Sequence, residues 1–174
     1  TVSVTIASSG VLLAAIYYAL QIRHQTKIRK TELVMRLFST VTLDPEYRKS
    51  AFDVANLQIK NYENFQKKYG QPDSEGRREI LKSISIVAGF YEMVGVLLYK
   101  GQVDLDTVYH SLGLHPVKAN YEDLKPILMG WRRNSNDPAM YVGFAYLYNE
   151  LMKNEPKLRK TLPVFGYASE GVSS

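Results

Sequence analysis

The sequence predicts an all-α protein in which one N-terminal transmembrane helix continues into a compact multi-helix cytoplasmic bundle. Residues 2–22 form an uncharged, largely apolar stretch, and basic residues follow it at once. Along the rest of the chain, apolar residues recur at helical spacing. Gly, Pro and Asp stand where such helices would end or begin, and no pair of strands is indicated.

The uncharged stretch has the length of a membrane span. As a helix, residues 2–22 would be about 32 Å long, close to the thickness of a bilayer's hydrocarbon core. A buried core helix or a cleaved signal is the alternative, because several residues of the stretch are polar. A span is favoured, since a signal has a shorter apolar core preceded by basic residues. Gly10 and Ala14, four residues apart, would allow a second membrane helix to approach closely.

The residues at the end of this stretch predict the orientation of the span. Tyr17 and Tyr18 fit the headgroup level, where an aromatic ring lies in lipid and its hydroxyl in water. No acidic residue precedes Glu32, whereas the basic residues include Arg23, Lys27, Arg29 and Lys30. The positive-inside rule therefore places the N-terminus outside the cell membrane and the remainder of this single-pass chain in the cytoplasm.

The predicted division assigns residues 1–22 to the transmembrane helix. The rest of the chain divides into a basic juxtamembrane helix (residues 23–43), a helical cytoplasmic domain (44–155) and a polar C-terminal tail (156–174). Asp44-Pro45 starts a helix that reaches about Ile59, and a short helix follows and ends at Gly70. Residues 77–100 form the most apolar helix, which should be central. Further helices are predicted from Asp104 to Gly113, from Pro116 through Trp131 with a kink or break at Pro126, and after Asn136-Asp137-Pro138.

Composition and motifs give no indication of catalysis. The chain has no Cys, which excludes disulfides, thiolate nucleophiles and Cys-based metal sites. It contains no P-loop, dinucleotide turn, nucleophile elbow or paired-His zinc motif, so no catalytic residue, cofactor or metal is predicted. His110 and His115 could meet on a metal with Asp104 or Asp106, but this spacing is unspecific and surface or capping histidines are favoured.

Glu92 is an isolated carboxylate in the most apolar helix and needs a cation, a donor or a proton. Arg132 and Arg133 are the predicted partners of a buried ion pair, and this structural role is favoured over a perturbed functional carboxylate. The 13 Tyr residues beside basic ones raise the alternative of nucleic-acid stacking. Most lie at core-facing helical positions, so packing is favoured and no nucleic-acid partner is expected.

Three stretches resemble a prokaryotic membrane-anchored family of the domain of unknown function 4760 type. They are YYALQIRHQTKIRKTELVMRLFST, AGFYEMVGVLLYKGQVDLDTVY and WRRNSNDPAMYVGFAYLYNEL, and the similarity covers most of residues 11–152. The resemblance implies a membrane-anchored helical domain whose recurring features are Phe90-Tyr91-Glu92 with Gly95, and the stretch from Tyr146 to Glu150. It brings no catalytic residue.

The predicted function is that of a non-catalytic, membrane-anchored helical interaction protein. Its partners would be the lipid bilayer and other membrane-protein subunits, or further copies of itself. One alternative is a membrane-surface sensor or effector that binds anionic lipid through the basic cluster at about 1 kcal/mol per residue. Another is a hydrolase or ligand-binding enzyme built around Glu92 and the histidines, which would require a pocket that joins them.

Overall fold

The computed structural model describes the backbone of residues 2–161 and the side chains of residues 16–160, apart from Lys27, Thr31 and Phe38. Over this part of the chain the protein is all-helical, without a strand, which confirms the predicted class. The helices are α1 (Val2–Leu43), α2 (Pro45–Ala55), α3 (Tyr62–Tyr69), α4 (Arg77–Tyr99), α5 (Leu105–Leu112), α6 (Leu114–Ser135) and α7 (Val142–Thr161).

The start of α2 follows the predicted signal. The Asp44 carboxylate accepts hydrogen bonds from the backbone N–H groups of Glu46 and Tyr47, at 2.8 and 3.1 Å. These are donors that the first turn of a helix cannot pair internally. The end of α2 was predicted too late: the helix stops at Ala55, and the chain turns so that Leu57 enters the core.

The central helix is α4, as its composition predicts. It packs against α2, α6 and α7, and its buried side chains include Ile84, Val87 and Val94, which are fully shielded from solvent. The Ser83 hydroxyl donates a 2.8 Å hydrogen bond to Asp53 on α2. Most of the core between these helices comes from apolar side chains, so hydrophobic burial is its main source of stability.

The chain stays helical through Pro126, where a kink or break is predicted, and through Pro156, where the polar tail is predicted to begin. Helix α6 continues through Pro126 without a break, because the neighbouring Leu124, Ile127 and Leu128 are all buried and hold the helix in register. Helix α7 continues through Pro156 to Thr161, and Leu158 is buried, so the helical domain extends past residue 155. The remaining tail, residues 162–174, lies outside the described part of the chain.

The start of α7 also differs from the prediction. Residues 138–141 form turns rather than helix, and α7 begins at Val142. The Asp137 carboxylate accepts from the N–H of Ala139 at 2.9 Å, which closes a local turn. Tyr141 has φ +54°, in the left-handed region, so the backbone is bent out of helical geometry just before Val142.

A tight turn links α4 to α5. Gly101 has φ +66°, which glycine adopts without steric cost, and the N–H of Gln102 donates to the carbonyl of Leu97 at 2.9 Å. Val103 is buried directly after the turn. Asp104 then caps α5 by accepting from the N–H of Thr107 at 2.8 Å, as the sequence predicts.

Within the described residues, one helix is long and apolar enough to cross a membrane, namely α4. Half of its apolar window is buried inside the bundle. The core helix of a soluble domain has the same length and composition, and α4 occupies such a core position.

Candidate functional site

The N-terminal part of α1 projects from the bundle. Every described side chain from residue 16 to residue 29 is exposed, and we call these residues the projecting α1 segment. Its large apolar side chains are Ile16, Tyr17, Tyr18, Leu20, Ile22 and Ile28. Beyond it, Lys30, Leu33 and Val34 are half-buried and Leu37 is buried. Helix α1 therefore leaves the domain at about Lys30 and carries an uncovered apolar surface outward.

The predicted membrane-interface residues lie along this segment. Tyr17, Tyr18, Arg23 and Arg29 are exposed, and the Tyr17 and Tyr18 rings meet edge to face at 6.1 Å. The side chain of Lys27 is outside the described residues, as are those of Gly10 and Ala14, on which the predicted helix packing depends. These assignments stay predictions.

Lys30 marks the point where α1 meets the α4–α5 turn. Partial burial of the Asp104 carboxyl raises its pKa, but hydrogen bonds from Thr107 and the positive charge of Lys30 outweigh that effect, so its pKa lies below the usual value. Helix α1 also contacts α5, which Asp104 caps, so the α4–α5 turn lies near the part of α1 that packs on the bundle.

Glu92 has a different partner from the one predicted. Its Oε2 accepts a 2.8 Å hydrogen bond from the backbone N–H of Phe144, in the first turn of α7. Neither Arg132 nor Arg133 is among the ion pairs of the described residues; Arg132 Nε instead donates to the carbonyl of Met140 at 2.6 Å, and Arg133 is exposed. The carboxylate on α4 thus caps α7, where the unpaired N–H groups and the helix dipole favour a negative charge.

Glycine allows this cap by bringing the two helices together. A Cβ atom added to Gly95 would lie 1.9 Å from the carbonyl oxygen of Gly143, and one added to Gly143 would lie 2.7 Å from the carbonyl oxygen of Glu92. Both separations are too short for non-bonded atoms. Helices α4 and α7 therefore approach backbone to backbone at this crossing. The sequence offered one signal for it, since Gly95 belongs to a recurring stretch of the resembled family.

An apolar groove opens beside the crossing. It has a volume of about 250 Å³, and its lining is almost wholly apolar. We call it the α4–α7 groove, and it is lined by Gly95, Val96, Tyr99, Val142, Gly143 and Tyr146. The Tyr99 and Tyr146 rings pack edge to face at 5.5 Å along it. Val96, Tyr99 and Val142 are exposed.

Aromatic side chains connect α4, α6 and α7 inside the bundle. Phe144 is stacked on Tyr91 at 4.7 Å and meets Tyr121 edge to face at 5.1 Å, while Tyr121 is stacked on Tyr148 at 4.3 Å. Such pairs contribute about 0.5–1.5 kcal/mol beyond the area they bury. These tyrosines act in packing, as the sequence predicts for most of the tyrosines.

His110 and His115 lie in two different places. His110 pairs with Asp106 at 3.4 Å, one turn apart on α5. His115 lines a cavity of about 540 Å³ together with Tyr109, Leu114, Lys118, Glu155 and Arg159. Glu92 is not part of that lining, so this cavity is not the pocket an enzyme built on Glu92 and the histidines would require. Among the described residues, no group of three or more His, Asp or Glu side chains could hold a metal ion.

The fold and surfaces define the class of this protein as an all-α bundle with a projecting N-terminal helix. The chain belongs to the family described as Domain of unknown function (DUF4760), whose model matches residues 4–151. The match includes the projecting α1 segment and both helices of the glycine crossing. Neither a curated protein nor a solved structure matches the chain.

Proposed function

We propose that this protein is a non-catalytic, membrane-anchored interaction protein, with residues 2–22 spanning the cell membrane and the helical bundle in the cytoplasm. It would serve as an accessory or structural subunit of a membrane-protein complex, or assemble with further copies of itself. The observation that carries the proposal is the projecting α1 segment. Its apolar side chains are covered by no other helix of the described chain.

The cost of that exposure supports a lipid environment. Burial of a large aliphatic or aromatic side chain contributes about 1.5–3 kcal/mol, and several such side chains line this segment. A bilayer or a neighbouring membrane helix would remove them from water. Arg23 and Arg29, exposed at the domain end of the same segment, would then lie among lipid headgroups.

Membrane integration can be tested on the full chain because it contains no natural Cys. We would introduce Thr1→Cys and Asn149→Cys separately, express each variant in cells, and label the cells with a membrane-impermeant maleimide. We expect membranes washed at alkaline pH to retain the protein, with labelling at position 1 in intact cells and at position 149 only after lysis. Release into the alkaline wash would overturn the proposal.

The basic cluster supports a second candidate, the membrane-surface sensor. Arg23 and Arg29 are exposed and can bind anionic headgroups. Replacement of the basic cluster by Gln would distinguish the sensor from the interaction subunit. Loss of a cellular response with retained membrane location and retained partners would favour the sensor, whereas loss of partners would favour the interaction subunit.

A further inference from the structure

The α4–α7 groove lies at the end of the bundle from which α1 projects. Helix α1 contacts α5, and the tight turn at Gly101 joins the start of α5 to the last residues of α4. Tyr99 is the last residue of that helix, and Lys100 after it is exposed. The end of α4 therefore lies near α1, and Asp104, just after that end, interacts electrostatically with Lys30.

The surface at this end has the chemistry of a membrane-interface contact. Tyr99 is 74% exposed, and Val96 and Val142 are exposed beside it. An exposed tyrosine next to a lysine and aliphatic side chains can insert its ring among lipid headgroups while the ammonium meets anionic lipid.

We propose that Val96, Tyr99, Lys100 and Val142 form a peripheral contact with the lipid bilayer, so that the bundle lies against the membrane surface. This inference rests on the proposed membrane span of α1. It adds a second point of attachment, which would fix the rotation of the bundle about the axis of α1 and determine which face it presents to partners.

The tilt of a membrane helix would favour this contact. From Ile22 to Lys30 the helix rises about 12 Å, and the headgroup layer occupies about 5–7 Å of that distance. A tilt of about 20°, the average for membrane helices, toward the α4 side would move the end of α4 closer to the membrane surface.

A second copy of the chain is a weaker occupant for this surface. The exposed apolar side chains beside the groove are few, namely Val96, Tyr99 and Val142, whereas a stable protein interface uses about 20–30 residues a side. Contact with lipid has no such minimum, since each inserted side chain adds its own free energy.

Spin labels on single cysteines would test the contact. We would prepare Tyr99→Cys, Leu43→Cys and Leu20→Cys in the full chain, reconstitute each in nanodiscs of phosphatidylcholine with phosphatidylglycerol, and compare label collisions with oxygen and with a water-soluble nickel complex. Leu43 is the matched control, because it is also 74% exposed but lies about 20 Å along α1 from Lys30. The label at position 20 tests whether the proposed span lies in lipid.

We expect the ratio of oxygen to nickel collisions to be severalfold higher at position 99 than at position 43, and highest at position 20. If the collision ratios at positions 99 and 43 were equal while position 20 lay in lipid, the proposed peripheral contact would be overturned but the proposed span would stand. Shielding of position 99 from both reagents, or spin–spin broadening between copies, would also overturn it, because a protein would then cover the groove. A water-exposed position 20 would overturn the span and the contact together.

Discussion

The Glu92 carboxylate on α4 accepts a 2.8 Å hydrogen bond from the backbone N–H of Phe144 in the first turn of α7. A side chain of one helix thereby caps another helix that begins 50 residues later in the chain. The interaction joins the two helices at the level where Gly95 meets Gly143. This hydrogen bond gives the ionisable side chain in the most apolar helix a partner, and among the described residues Glu92 forms no ion pair.

Replacing Glu92 should destabilise the bundle, and the loss should depend on whether the new side chain can accept the hydrogen bond from Phe144. Glu92→Ala leaves a backbone N–H without its partner, and we expect a loss of about 1–3 kcal/mol in the free energy of unfolding. Glu92→Gln keeps an acceptor but removes the charge at the α7 N-terminus, so its loss should be about 0.3–1 kcal/mol. Urea unfolding of the full chain in mild detergent would measure both. Equal stability of Glu92→Ala and the exposed-loop control Glu75→Ala would contradict the capping role.

Substitution by alanine should have opposite effects on stability at two glycines of α4. At Gly95 the added methyl group would meet the Gly143 carbonyl, so Gly95→Ala should cost about 1–3 kcal/mol or more through overpacking. At Gly89 nothing lies within 4 Å of an added Cβ, and the better helix propensity of Ala should stabilise the protein by up to about 1 kcal/mol. Thermal unfolding of both variants would distinguish these signs. A tolerated Gly95→Ala would mean that α4 and α7 do not cross at this point.

The buried tyrosines should make the protein less stable at alkaline pH. Burial raises the pKa of Tyr47 and of Tyr91 above that of a free phenol. Above roughly pH 10 the unfolded chain loses protons that the folded chain keeps, so stability falls as the pH rises further. Tyr47→Phe should therefore flatten the decline of the urea midpoint between about pH 9 and pH 11. Equal slopes for the wild type and for Tyr47→Phe would refute the assignment.

Replacement of Arg23, Lys27, Arg29 and Lys30 by Gln should weaken the preferred orientation of the chain. The positive-inside rule depends on such residues near the end of a span. With the cluster removed, we expect a fraction of the Asn149→Cys protein to become labelled in intact cells. Replacing four basic residues far from the span, Lys67, Lys68, Lys153 and Lys157, should leave the labelling unchanged. An unaltered orientation after replacement of the cluster would show that other residues determine it.

The sequence predicts most helix boundaries because their signals are local. Asp44, Asp104, Gly70 and Gly101 each act through backbone groups a few residues away, and the structure uses them as expected. Pro126 and Pro156 were misjudged because buried neighbours such as Leu128 and Leu158 outweigh the local effect of a proline. Tertiary packing determines whether the helices continue at these two prolines, and a local sequence pattern does not report it.

The partner of Glu92 could not be predicted from the chain for a similar reason. An isolated carboxylate in an apolar helix led us to expect a cationic partner such as Arg132. The N-terminus of a helix can also satisfy a carboxylate. Which helix N-terminus Glu92 caps depends on how α7 packs against α4, and this packing cannot be predicted from local sequence. Likewise, Gly89 and Gly95 look equivalent in the sequence, and only the packing shows which of them lies at the crossing.

Extraction of the tagged protein in native nanodiscs, followed by native mass spectrometry, tests the proposed function most directly. The proposal predicts that the chain appears with stoichiometric companion chains or as a defined assembly of its own copies, together with bound lipid. A chain that is consistently monomeric under these conditions would contradict the role of an interaction subunit.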